Sequence, residues 1–216
     1  MPAARLLRSS RLHATRPGVT ERLYDCSGHT PADVTGWDRA NHWGRRLDVL
    51  VSELSAEPCE RALVLCASVG TCKRLQRELP DALRAVGVGS RTAALHPAMS
   101  ADERRAASDA LSPPPYLASE TPTQQRALER PEGEPLVLIA TERAARGLDL
   151  PALDAVLLFD FPREGDEYVR AVGKATRGDA PPARVSFLAH GSQLNMARAL
   201  MTKDEHEDTI ALEHAH

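Results

Sequence analysis

"LVLIATERAARGLDLPALDAVLLFDFP", residues 136–162, holds two nearly unbroken apolar runs on either side of a charged, glycine-bearing stretch. A strand that is apolar on both faces must be covered on both faces, as the central strands of a parallel sheet are. Between the runs, "TERAARG" (141–147) brings Thr141, Glu142, Arg143, Arg146 and Gly147 to the carboxyl end of the first strand. In open parallel sheets, ligands gather at that end.

Further apolar, β-branched runs at 19–26, 62–66, 91–95 and 184–188 read as strands beside 136–140 and 155–161. Helical periodicity fills most of the gaps. In 37–54, Leu47, Leu50, Val51 and Leu54 recur at three- and four-residue steps, and in 69–86 Leu75, Leu79 and Leu83 do the same. The stretch 100–111 opens "SADE", where Ser100 and Glu103 have the spacing of a capping box. Strands alternating with helices specify an α/β fold: a single parallel sheet with helices on both faces and right-handed crossovers. One segment breaks the rhythm. Residues 112–134, "SPPPYLASETPTQQRALERPEGE", are rich in Pro, Ser, Thr and Glu and read as an exposed insertion.

Composition sets bounds on function. The chain has 216 residues, 42% hydrophobic but only 4% aromatic, so its core must be built from Leu, Val and Ala. A net charge of −3 gives no general attraction to nucleic acid or membrane, so any anion site must be local. No apolar run approaches the roughly 18 residues of a membrane span. Cys26, Cys59, Cys66 and Cys72 lack CxxC spacing, which points to free thiols in a reducing compartment and to no metal site. Residues 1–18 form a basic extension with Arg5, Arg8, Arg11 and Arg16, and no acid precedes Glu21. Such a segment is either a mitochondrial targeting peptide or an ordinary basic arm, leaving a mitochondrial or a cytoplasmic setting open. Residues 203–216 are an acidic tail carrying Asp204, Glu205, Glu207 and Asp208, which leaves 19–202 for the domain.

The loops at the carboxyl ends of the strands carry Ser68, His96, Thr141–Asp149, Arg163–Arg177 and His190. Arg143, Arg146, Arg170, Lys174 and Arg177 could converge on one edge, where arginine forks suit phosphate oxygens. The alternative is that they form solvated helix faces.

The order of segments favours the first reading. "ALVLCAS" (62–68), "LHPAMSADERR" (95–105), "LIATERAARGLDLP" (138–151) and "LLFDFPREGDEYVRAVGKATRG" (157–178) resemble, in order and spacing, the second RecA-like lobe of DEAD-box RNA helicases. "RLHATRPGVTERLYDCSG" (11–28) is similar to the segment that opens that lobe. "ATERAARGLDLP" departs from the family's usual "ATDVAARGLDIP" at three positions.

The resemblance implies roles, residue by residue. Thr141 and Arg146 would hold the RNA backbone and couple it to the nucleotide, with Arg104 and Ser68 as further RNA contacts. Gly147 would allow close backbone approach, Asp149 would face the ATP ribose, and Gly173 would belong to the nucleotide side. These contacts read phosphate and sugar rather than bases. The family's last motif, His-Arg-x-Gly-Arg-x-x-Arg, appears here as "RAVGKATR" (170–177). Arg170 replaces the histidine, Ala171 the first arginine and Lys174 the second, while Gly173 and Arg177 match. Lys174 and Arg177 therefore stand at eroded arginine-finger positions, where an arginine can supply a factor of roughly 10³–10⁵ in related NTPases. Glu142 likewise replaces an aspartate, and Ala101 a glutamine.

No GxxxxGK[ST] loop and no Asp-Glu-Ala-Asp box occurs in the chain. Both belong to the family's first lobe, so ATP with Mg2+ is expected only if such a lobe is joined, and otherwise no cofactor. Two functions follow as expectations: a non-catalytic RNA-backbone module in RNA or ribosome assembly, or an active helicase once paired with a first lobe. Partners would be RNA, ribosomal RNA in particular, with ribosomal or assembly proteins or a first helicase lobe, and no membrane. A small-molecule enzyme built on Cys66 or Cys72 has neither a GxGxxG turn nor Cys–His spacing to support it.

Overall fold

The computed structural model describes residues 19–27, 39–56, 59–109, 135–148, 150, 152–176 and 183–199. The basic extension, the insertion at 112–134 and the acidic tail lie outside the described residues.

Six strands form one sheet: β1 (Glu21–Asp25), β2 (Arg61–Cys66), β3 (Arg91–Leu95), β4 (Leu136–Thr141), β5 (Ala155–Leu158) and β6 (Arg184–Ala189). Their spatial order is β1-β6-β5-β2-β4-β3, and every pairing is parallel. The two all-apolar runs are indeed interior: β4 and β5 flank β2 on its two sides. The helices are α1 (Arg39–Ala56), α2 (Val69–Ala85), α3 (Ala101–Asp109) and α4 (Gly165–Val172), which runs into a 3-10 turn at Gly173–Ala175. A last helical stretch, α5, spans 193–199.

Side-chain alternation along the strands divides the core into two layers. Ala62, Val64 and Cys66 of β2, with Val137 and Ile139 of β4, pack under α1 and α2. Leu63, Leu65, Leu136, Leu138 and Ala140 face the other way, toward α4 and α5. The expected helical stripes do the covering: Leu50 and Leu54 of α1, and Leu75, Leu79 and Leu83 of α2, are buried. Each buried Leu contributes about 1.5–3 kcal/mol. The capping box forms as its spacing requires. Glu103 N donates to Ser100 Oγ at 3.2 Å, and Ser100 N donates to Glu103 Oε2 at 2.7 Å.

One strand is shorter than its apolar run suggests. β5 ends at Leu158, not Phe161. Unbroken alternation would put Phe159 and Phe161 on the same face, yet they sit in opposite layers. The bend at 159–160 makes the switch, and Phe161 then packs against Phe187, 5.5 Å between ring centroids.

A buried carboxylate ties the β1 edge down. Glu53 of α1 is 5% exposed and accepts hydrogen bonds from Tyr24 of β1 and from Ser186 Oγ of β6, the latter at 2.5 Å. Arg22 Nη1 reaches Glu53 Oε1 at 3.4 Å, and Arg184 Nη2 donates to the Glu53 carbonyl at 2.8 Å.

Candidate nucleic-acid interface

Where β2, β4 and β5 end, the chain leaves a cleft of about 590 Å³. Thr141, Glu142, Arg143, Arg146, Asp160 and Arg163 are among the residues that line it. After β4 the backbone turns tightly. The Thr141 carbonyl accepts from both Ala144 N and Ala145 N at 3.0 Å, and its Oγ1 accepts from Ala144 N at 3.3 Å. The charged stretch is therefore a turn over 142–147 rather than a helix start. Gly147 closes it with a φ of +69°, a left-handed conformation that side chains rarely adopt. A Cβ there would meet nothing within 4 Å. The protein itself thus requires this glycine for its backbone conformation, not for a close approach.

The turn is laced with ion pairs. Glu142 Oε2 accepts from Arg146 Nε at 3.2 Å and Nη2 at 3.0 Å. Its other oxygen, Oε1, accepts from Arg170 Nε at 3.1 Å, and Arg170 Nη1 also donates to Asp166 Oδ2 at 2.5 Å. Desolvation pushes the Glu142 carboxyl up, but the Arg146 and Arg170 guanidiniums outweigh it and hold it below the ordinary range. Arg143 and Arg163 are exposed on the same cleft and make no ion pair with the described residues.

The remaining predicted residues divide. Ser68 lies exposed on the loop after β2, where its Oγ caps α2 by accepting from Thr71 N at 3.0 Å. Arg104 is exposed on α3, past the end of β3, and does not line the cleft. Lys174 turns inward: it is 9% exposed, and its Nζ donates to the Ala145 carbonyl at 2.9 Å. Gly173 sits at the C-terminus of α4 with open space around it. Asp149 and Arg177 lie outside the described residues.

Sequence reasoning missed a pair that anchors one wall of the cleft, Arg46 and the cleft-lining Asp160. Arg46 Nη1 donates to the Phe159 carbonyl at 3.0 Å and to Asp160 Oδ1 at 2.7 Å, while Asp160 Oδ2 accepts from Ala67 N at 2.9 Å. Asp160 thereby fixes the β5 bend and the loop after β2 to one another. The signal was available: Arg46 stands three residues after Trp43 and four before Leu50, a charge on the apolar stripe of α1.

Nearby, His42 and His190 stack with centroids 5.0 Å apart. Desolvation, then Arg46 and His42, lower the His190 pKa from 6.5, against a weaker pull from Asp160. The unfolded chain therefore binds this proton more readily than the folded one, and the resulting stability is complete above about pH 6.5 and declines below it. Urea melts at about pH 7.5 and 5.5 are expected to show that loss, and His190→Asn to reduce it. An identical loss in the variant would remove His190 as its source.

The four cysteines are buried thiols, and burial pushes Cys26 and Cys59 up to about 11. Cys66 is raised too, through its hydrogen bond with Cys72, and Cys72 is wholly enclosed. None is placed as a nucleophile.

A parallel sheet covered on both faces, with a charged cleft at its strand carboxyl ends, defines a RecA-like α/β lobe. The chain belongs to the helicase conserved C-terminal domain family, which matches residues 45–179, and it is the DEAD-box type of that lobe. It is 27% identical over 207 residues to the DEAD-box ATP-dependent RNA helicase 50 of Arabidopsis thaliana, covering 94% of this chain and 24% of the relative. It is 45% identical over 53 residues to the ATP-dependent rRNA helicase rrp3 of Aspergillus niger, 24% of this chain and 11% of that one. The solved C-terminal domain of the DEAD-box protein Dbp5 superposes with a TM-score of 0.56 at 19% identity, covering 86% of this chain and 85% of that one. The chain thus spans about a quarter of the length of the curated relatives that match it end to end.

Two of the described last-motif positions, 171 and 174, present no exposed cation. Ala171 ends at its Cβ, 1% exposed, and the Lys174 ammonium is bonded to the protein's own backbone. No described helix is long and apolar enough to cross a membrane.

Proposed function

We propose that this lobe binds the sugar–phosphate backbone of RNA, ribosomal RNA in particular, without turning over ATP itself. The observation that carries the reading is a contrast between the cleft and the described last-motif positions beside it. Arg143, Arg146 and Arg163 stand at its opening as planar donors suited to phosphate oxygens, while positions 171 and 174 offer no cation to a nucleotide. The relatives' names, RNA helicase and rRNA helicase, support the choice of nucleic acid. A second reading, an ATP-dependent helicase completed by a first lobe, draws on the quarter-length match.

The purified chain is expected to bind single-stranded RNA, with an affinity that falls as salt rises from about 50 mM to about 200 mM. It is expected to release no phosphate from ATP, with or without RNA. ATP hydrolysis by the chain alone would sink the non-catalytic half of the reading. Failure to retain RNA at the lower salt would sink the binding half. Turnover that emerges only when a first lobe is added would decide for the second reading.

A further inference from the structure

We infer that Arg170 is a positioning residue for RNA: it clamps Glu142, and Glu142 aims Arg146 at a backbone phosphate. This rests on the RNA-binding reading above. The geometry is a relay of four side chains. Asp166, one turn earlier on α4, holds Arg170 through Nη1, and Arg170 Nε holds Glu142 Oε1 at 3.1 Å. The opposite oxygen of Glu142 receives both Nε and Nη2 of Arg146. Glu142 is the hub, 20% exposed, and Arg146 is its outward end, 52% exposed on the cleft.

The relay constrains Arg146 without using it up. A guanidinium carries five N–H donors in a rigid plane. Glu142 takes one on Nε and one on Nη2, which leaves Nη1 and the second Nη2 hydrogen for a ligand. An arginine held on one edge has already lost the side-chain freedom that binding would otherwise remove.

Two sequence departures form one feature here. Position 142 is usually aspartate in the family, and position 170 histidine. An aspartate is one methylene shorter, about 1.5 Å of reach. A histidine has no fork with which to span Asp166 and Glu142 at once. Glu142 and Arg170 supply each other's requirement and tie α4 to the turn after β4 by direct contact.

Charge alone and positioning predict opposite signs for one variant. Glu142→Gln removes a negative charge beside the proposed phosphate site, so electrostatics alone would tighten RNA binding. Positioning requires it to weaken. Fluorescence anisotropy of the full chain with a single-stranded oligouridylate, across about 50–200 mM salt, reads the difference. Both Glu142→Gln and Arg170→Gln are expected to weaken affinity on the order of three- to tenfold. Their log–log salt slopes should stay at the wild-type value, because no phosphate contact is lost, whereas Arg146→Ala should lower the slope by about one. Amide exchange over 143–147 should accelerate in both variants, and Arg170→Lys should recover part of the affinity.

Tighter binding by Glu142→Gln overturns the proposal, as does unchanged affinity with unchanged exchange. A slope reduced by about one in Arg170→Gln would make Arg170 a phosphate contact itself and equally overturn it. If Arg170→Gln does not fold, the sign of the Glu142→Gln effect still decides. A wild-type chain that binds no RNA refutes the reading beneath this one, and exchange over 143–147 then separately reports whether the clamp exists.

Discussion

Glu53→Ala is expected to lower the unfolding free energy by about 3–5 kcal/mol, the cost of removing one member of a buried charged cluster. The carboxylate is 5% exposed and ties α1 to two strands: to Tyr24 and Arg22 on β1, and to Ser186 and, at 3.9 Å, Arg184 Nε on β6. Deleting it strips the acceptor from the buried Ser186 hydroxyl and the 3.9 Å ion pair from Arg184, while the Arg184 bond to the Glu53 carbonyl remains. The damage should be local first. Among the described strands β1 lies at the edge and pairs only with β6, so its amides should lose exchange protection ahead of those of β2 and β4. Glu53→Gln, which keeps one acceptor oxygen and puts an amide NH2 donor in place of the other, should cost less. Denaturant melts with exchange on β1 provide the measurement. A Glu53→Ala loss under about 1 kcal/mol would mean that the cluster is a bystander to stability.

Arg104→Ala combined with Arg146→Ala is expected to weaken RNA binding by roughly a hundredfold and to flatten the salt slope by about two. Arg104 is an exposed cation on α3 and Arg146 one on the turn after β4, and the two share no partner among the described residues. Their effects should therefore add. A charge-assisted hydrogen bond contributes about 1.5–3 kcal/mol, at least a factor of ten per contact. Sequence preference should not change, because neither contact reaches a base edge. The fold should tolerate both changes within about 0.5 kcal/mol, since both side chains are exposed. Full affinity in the double variant would place the RNA surface elsewhere on the lobe.

Much of this architecture was legible because it is written in local periods. Strands 136–141 and 155–158 announced themselves by apolar runs, α2 by Leu75, Leu79 and Leu83, and the start of α3 by Ser100 and Glu103. What escaped depends on partners far away in the chain. The break at Phe159 needs Arg46, more than a hundred residues earlier, to hold the bend. Lys174 reads as a free cation until the Ala145 carbonyl comes over it. The charged turn after β4 looked like a set of phosphate ligands, yet Glu142 proves to be its organiser, which only the approach of α4 reveals. Of the candidate site, the strand-end placement of Thr141 and Arg146 could be read in advance. Which cations face outward could not, because that is decided by packing.

The pairing of β1 with β6 joins Glu21 to Val185, and it has a consequence for synthesis. Of the described strands, β1 is made first and must wait for β6, which is made last. At about 5–20 residues per second, a ribosome needs roughly ten to thirty seconds to supply that partner. During that interval Tyr24 and Cys26, destined for the α1–α2 layer, have no β6 to close over, while β2, α2, β3 and β4 can already assemble. The nascent chain thus carries an unpaired β1 until β6 emerges, and this is the stretch on which a chaperone would have the longest time to act.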